Sequence, residues 1–127
     1  VGQSLVYEPK RPLQSVRRPI ILYPVACHFP ELKVVGIHIG IPWTDEMIAM
    51  AWKHDNVYII ADAHAPKYWP DSFVRYIDSY GRHKVMFGTD FPVLTFERYR
   101  REVDDLGLRA ESYKAFIRGN AERVFKL

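Results

Sequence analysis

The chain has 127 residues, of which 26% are charged, and its net charge of +3 is ordinary for a globular domain. The arginines of 98–101 share a predicted helix with Glu97 and Glu102, which indicates a salt-bridged face rather than a nucleic-acid-binding surface. No apolar run reaches the roughly 18 residues of a membrane span, so no membrane partner is expected. The single cysteine, Cys27, excludes an intrachain disulfide and favours a reducing compartment, so we expect a cytoplasmic protein.

The amino-terminal part of the chain lacks a regular pattern. Pro9 and Pro12 interrupt residues 1–18, which are predicted to be an irregular lead-in. Residues 19–28 are predicted to form a short helix begun by a proline. From residue 19 to residue 127 the pattern predicts strand–helix units and a closing helix, so the chain is expected to be a single domain.

Three apolar segments predict strands at 34–39, 57–61 and 84–88, and a helix-like stretch follows each of them. The interval from one segment to the next is close to the roughly 30 residues of a β-α-β unit. The pattern therefore predicts three parallel strands in an α/β fold.

The helices between these strands carry recognisable start and stop residues. Thr44 is predicted to cap a helix through residue 53, Pro70 to open the next helix, and Gly81 to end it. Thr95 is predicted to cap another helix, and a last helix is predicted over 109–125. Their apolar stripes, expected to face inward, include Phe73, Tyr80, Phe96 and Tyr99.

Ionisable residues lie at or just after the end of each predicted strand: His38, Asp62 with His64, and Asp90. Because the carboxyl ends of parallel strands lie on one side of a sheet, we expect these side chains to converge. Each also has a purely structural interpretation. Asp90 would cap a turn, His38 would be a hydrogen-bonded core histidine, and Asp62 and His64 would be turn and loop residues.

Two motifs, His38-Ile-Gly-Ile-Pro-Trp43 and Phe87-Gly-Thr-Asp-Phe-Pro92, carry a family resemblance. Together with Asn120-Ala-Glu-Arg-Val-Phe125 they resemble the carboxyl-terminal half of the amidohydrolase-related metal-dependent hydrolases. These are TIM-barrel proteins that include aminocarboxymuconate-semialdehyde decarboxylase-like enzymes. The resemblance runs from about Arg11 to the end. It implies a partial, half (β/α)8 barrel containing strands six to eight, because a whole barrel takes roughly 250 residues.

The resemblance also implies roles for individual residues. Asp90 matches the family's metal-binding aspartate, with zinc as the expected divalent metal, and His38 matches a histidine that transfers protons beside it. Asp62 and His64 are possible substitute ligands. Trp43, Tyr68 and Trp69 are expected either to wall a substrate pocket or to cover the core.

The sequence departs from the family at two metal-ligand positions. No His-x-His pair occurs anywhere in it, and Gln3 in Val1-Gly-Gln3 stands where the family has a third histidine ligand. Glutamine is a poor zinc ligand, so the isolated chain is expected to bind zinc weakly or not at all.

The expected function is metal-dependent hydrolysis or decarboxylation of a small, carboxylated substrate. The alternative is a non-catalytic half-barrel that serves as an assembly or partner-binding module, and whether the chain is itself an enzyme stays open. Open sheet edges predict either a homodimer or pairing with a missing amino-terminal half, as in an excerpt of a full barrel.

Overall fold

The computed structural model describes residues 18–127, so Gln3 and nearly all of the predicted lead-in lie outside the described residues. A three-stranded sheet lies at the centre, in the order β1 (Val34–Gly36), β2 (Val57–Ala61) and β3 (Val85–Phe87). Both neighbouring pairs are parallel. The predicted α/β fold with parallel strands is confirmed.

The structure corrects the length of the first strand. β1 ends at Gly36 rather than at residue 39, because the chain turns into a short 3-10 segment at His38–Gly40. A Cβ atom on Gly36 would lie 2.4 Å from the Met47 sulfur. Glycine at this position therefore lets the following helix pack closely against β1.

In the described part of the chain, six α-helical segments flank the sheet: α1 (Tyr23–His28), α2 (Thr44–Lys53), α3 (Asp71–Ile77), α4 (Phe96–Asp104), α5 (Ala110–Lys114) and α6 (Asn120–Phe125). Short 3-10 turns at Pro19–Leu22 and Pro66–Tyr68 precede α1 and α3. A π-helical turn at Ala115–Gly119 joins α5 to α6, so the predicted last helix is one helix with a π-bulge. No helix within residues 18–127 is long and apolar enough to cross a membrane.

The helix starts agree with the sequence at two positions and differ at one. Thr95 caps α4, since its side chain accepts a hydrogen bond from the Arg98 amide, and Pro70 directly precedes α3. The prediction for Thr44 is wrong: Thr44 is the buried first residue of α2, and Trp43 occupies the capping position without a side-chain hydrogen bond.

The two faces of the sheet have different environments. Val34, Val57, Ile59 and Val85 are buried on the face against which the helices pack. Alternate residues point to the opposite face. There Val35, Tyr58 and Ile60 are half-buried and Met86 is buried. We call this second face the inner face, because it would line the interior of a closed barrel.

Two aromatic residues predicted to face inward do not. Tyr80 is 74% exposed and stacks on Trp52, because α3 ends at Ile77 and the helical periodicity stops before Tyr80. Phe96, the first residue of α4, is largely exposed and touches only the edge of the core. The other two predicted inward residues, Phe73 and Tyr99, are fully buried.

Side chains that bind backbone carbonyls hold the amino-terminal edge of the sheet together. The Lys84 ammonium donates to the carbonyls of His54, Asp55 and Val57. Partial burial lowers the pKa of Lys84, although the Asp55 charge opposes this effect. The Asn56 side-chain amide donates to three carbonyls in α1 and in the connection from α1 to β1. This edge is therefore built for stability, as is usual for the amino-terminal face of a barrel.

Candidate functional site

Backbone strain gathers at the carboxyl edge of the sheet. His38 and Ile39 after β1, Ala63 after β2 and Asp90 after β3 all have φ between 47° and 61°. Such left-handed conformations cost about 1–3 kcal/mol each in residues other than glycine, and they cluster at functional sites. Among the described residues the remaining case is Lys126, at a helix end where this conformation is common.

His38 and Asp62 are in direct contact at this edge. One carboxylate oxygen of Asp62, Oδ1, accepts a hydrogen bond from the His38 amide at 2.5 Å and lies 3.1 Å from His38 Nδ1. The two side chains are only 13% and 12% exposed. The contact follows from the sheet, because β1 and β2 are parallel neighbours and each residue comes just after its strand.

His64 lies beside this pair. Its ring centroid is 6.3 Å from that of His38, in an edge-on arrangement. Its amide donates to the Asp62 carbonyl and its own carbonyl accepts from the Trp69 indole. The turn after β2 therefore places His64 next to His38.

Asp90 occupies a more open position after β3. It is exposed, and its carbonyl accepts from the Val93 amide in a tight turn. Within residues 18–127 no hydrogen bond or ion pair joins its carboxylate to another side chain. It shares the carboxyl edge with His38, as parallel strands require, but no described contact links the two.

The three aromatic residues proposed as pocket walls differ in position. Trp43 is half-buried beside a cleft of about 300 Å³ that Pro42 and Pro70 also line. Tyr68 is exposed, and the Lys67 ammonium lies 4.7 Å from its ring centroid. Trp69 is buried against Phe73, which favours its interpretation as a cover of the core.

The described residues do not complete a metal site. No group of three His, Cys, Asp or Glu side chains within residues 18–127 is arranged to hold a metal ion. Asp62, one of the two possible substitute ligands, is engaged with His38. With Asp62 engaged by His38, too few of the predicted ligands remain for a zinc centre, which normally needs three or four protein ligands.

We therefore expect the isolated 127-residue chain to retain much less than one zinc ion per chain after dialysis. Elemental analysis is the measurement, and Cys27→Ser is the control, because Cys27 is an exposed thiol that could hold zinc adventitiously. One tightly held zinc per chain that survives this substitution would contradict the prediction and direct attention to His64 and Asp62.

One buried carboxylate near the site was not anticipated from the sequence. Glu102, assigned to a solvated helix face, is only 8% exposed and accepts from Arg98 Nε at 2.9 Å and from the Lys67 amide at 3.3 Å. Burial alone would raise its pKa, but these hydrogen bonds and charges lower it. The Arg98 spacing was visible in the sequence, whereas the bond to Lys67, which ties the loop after β2 to α4, was not.

Comparisons with known proteins agree with this architecture. The amidohydrolase family model matches residues 12–127. The fold is similar to the crystal structure of an uncharacterised TIM-barrel protein from Bordetella bronchiseptica, with a TM-score of 0.75 and 28% identity. The similarity covers 81% of this chain but 37% of that protein. No curated protein matches the sequence. The chain has the fold of part of a TIM barrel.

Proposed function

This chain belongs to the amidohydrolase family, and from that premise we propose that it supplies the strand ends of a hydrolytic TIM-barrel active site. The substrate class proposed is a small, carboxylated molecule, which the site would hydrolyse or decarboxylate. One observation carries the proposal: His38 is held by the buried Asp62 at the strained carboxyl edge of a parallel sheet. Barrel enzymes have their catalytic residues at this edge.

Proton transfer at His38 is the chemistry that the described residues support. In hydrolysis, an imidazole takes a proton from the attacking water and returns it to the leaving group. In decarboxylation, it delivers a proton to the carbon that loses carbon dioxide. Asp90, exposed at the same edge, would bind or orient a polar group of the reacting system. A metal centre would require ligands beyond those described.

The proposal is tested by assaying the chain alone and mixed with the amino-terminal part of the related Bordetella barrel. Small carboxylated amides, esters and unsaturated carboxylic acids are the substrates, and carbon dioxide release and acid production are measured. We expect turnover in the completed barrel that Asp90→Asn abolishes. A folded, completed barrel that turns over none of these substrates would contradict the proposal.

The second candidate function is that of an assembly module, and the open sheet favours it. Within residues 18–127, β1 and β3 each pair on one side only, and the inner face presents Val35, Tyr58 and Ile60. Parallel sheets are normally covered on both faces and their edges paired. The partner would be a second copy of the chain or the amino-terminal half of a barrel.

We expect the 127-residue chain to associate rather than remain a monomer, because association would cover this inner face. Size-exclusion chromatography with light scattering measures the mass. Ile60→Lys, which puts a charge on the inner face, should shift the chain toward monomer, whereas Trp52→Lys on the outer surface should not. A wild-type monomer that unfolds cooperatively at high concentration would contradict this prediction.

A further inference from the structure

We infer that Asp62 is a positioning residue for His38. It fixes the His38 ring in the tautomer that carries its proton on Nδ1 and holds the His38 backbone in its left-handed conformation. Nε2 is then left with a lone pair for the reacting group. The catalytic use of Nε2 rests on the proposed function, whereas the positioning itself is measurable without turnover.

The first step is the chemistry of the contact. Asp62 Oδ1 approaches both the His38 amide and His38 Nδ1. An ionised carboxylate only accepts hydrogen bonds, so Nδ1 must carry the proton that is shared with it. In a neutral imidazole the other nitrogen, Nε2, then has no proton and is the basic atom.

The second step is the backbone. His38, Ile39 and Gly40 have consecutive positive φ values of 56°, 47° and 77°. The Asp62 carboxylate binds the first amide of this run, and the Ile39 side chain is fully buried in the core. A Cβ atom on Gly40 would lie 2.5 Å from the Met47 Cβ atom, so the turn also packs tightly onto α2. The hydrogen bond from the His38 amide to Asp62 and the packing of Ile39 and Gly40 thus together fix the direction in which the His38 side chain leaves the backbone.

The third step concerns the contacts that hold Asp62 itself in place. Asp62 directly follows the buried Ala61, whose carbonyl accepts a hydrogen bond from the Tyr99 hydroxyl. Gly88 of the neighbouring strand end gives it room, because a Cβ atom there would lie 3.2 Å from the Asp62 Cβ atom. A carboxylate fixed in this way defines the orientation of the ring it binds.

The experiment is nitrogen NMR of the histidine rings of the 127-residue chain at a pH at which the rings are neutral. We expect His38 to favour the Nδ1–H tautomer by about tenfold or more, as a hydrogen bond to a charged group implies. The exposed His28 and His83 serve as internal references. Asp62→Asn should weaken this preference, because the amide oxygen that replaces Oδ1 can still accept from Nδ1 but carries no charge.

Two further variants separate positioning from folding. Asp104→Asn makes the same chemical change at an exposed ion pair and should leave the His38 signals unchanged. Asp62→Ala removes the acceptor outright and should abolish the preference if the variant folds. If it does not fold, Asp62→Asn still provides the test, because its oxygen can accept from the His38 amide and from Nδ1 without the charge. A wild-type His38 in the Nε2–H tautomer, or an unchanged preference in Asp62→Asn, would overturn the inference. If the tautomer preference depends on Asp62 but the completed barrel shows no turnover, the positioning role stands and only the proposed function is refuted.

Discussion

Replacing His38 with glutamine is expected to lower the turnover of the completed barrel by about 10²–10⁴-fold, the usual contribution of a positioned general acid or base. Glutamine can donate and accept hydrogen bonds, but it does not take up a proton near neutral pH. His38 is mostly buried and is held at the carboxyl edge by Asp62, so the side chain has a defined place from which to transfer protons.

His28→Gln is the matched control for this substitution. His28 is exposed at the end of α1, on an element that precedes β1, and its replacement should leave turnover unchanged. Thermal unfolding of both variants shows whether the fold survives. A His38→Gln protein that is folded and keeps at least half of the wild-type rate would remove His38 from the reaction.

Replacing Asn120 with alanine is expected to destabilise the chain by about 2–4 kcal/mol, because one buried and one partly buried carbonyl lose their donor. Asn120 is 1% exposed, and its amide donates to the carbonyls of Arg82 and Val85, each at 2.7 Å. These bonds fasten α6 to the beginning of β3. Urea unfolding measures the difference in the free energy of unfolding.

Arg118→Ala is the control on the same carboxyl-terminal helix. Arg118 forms an exposed ion pair with Glu122 four residues on, and exposed pairs of this kind contribute little. We expect its replacement to change the free energy of unfolding by less than about 0.5 kcal/mol. An Asn120→Ala protein as stable as this control would show that the two carbonyls find other partners.

The sequence was sufficient to predict the sheet. Three apolar segments at strand–helix intervals predicted parallel pairing, and the structure confirms β2 at the predicted residues and β1 and β3 within the predicted segments. Local chemistry also predicted the cap at Thr95. These features depend on residues close together in the chain, whose apolar period and hydrogen-bonding groups can be read directly.

The tertiary structure alone decided how the ionisable residues are used. Asp62 appeared in the sequence as a turn residue or a substitute metal ligand, but the pairing of β1 with β2 brings it against His38, 24 residues away. Likewise, the bond between Lys67 and Glu102 joins residues 35 positions apart. Such contacts depend on strand register and on how the helices pack over the sheet. A single sequence carries no local signal for either, so the sequence indicated which residues reach the carboxyl edge, and packing determined which of them touch.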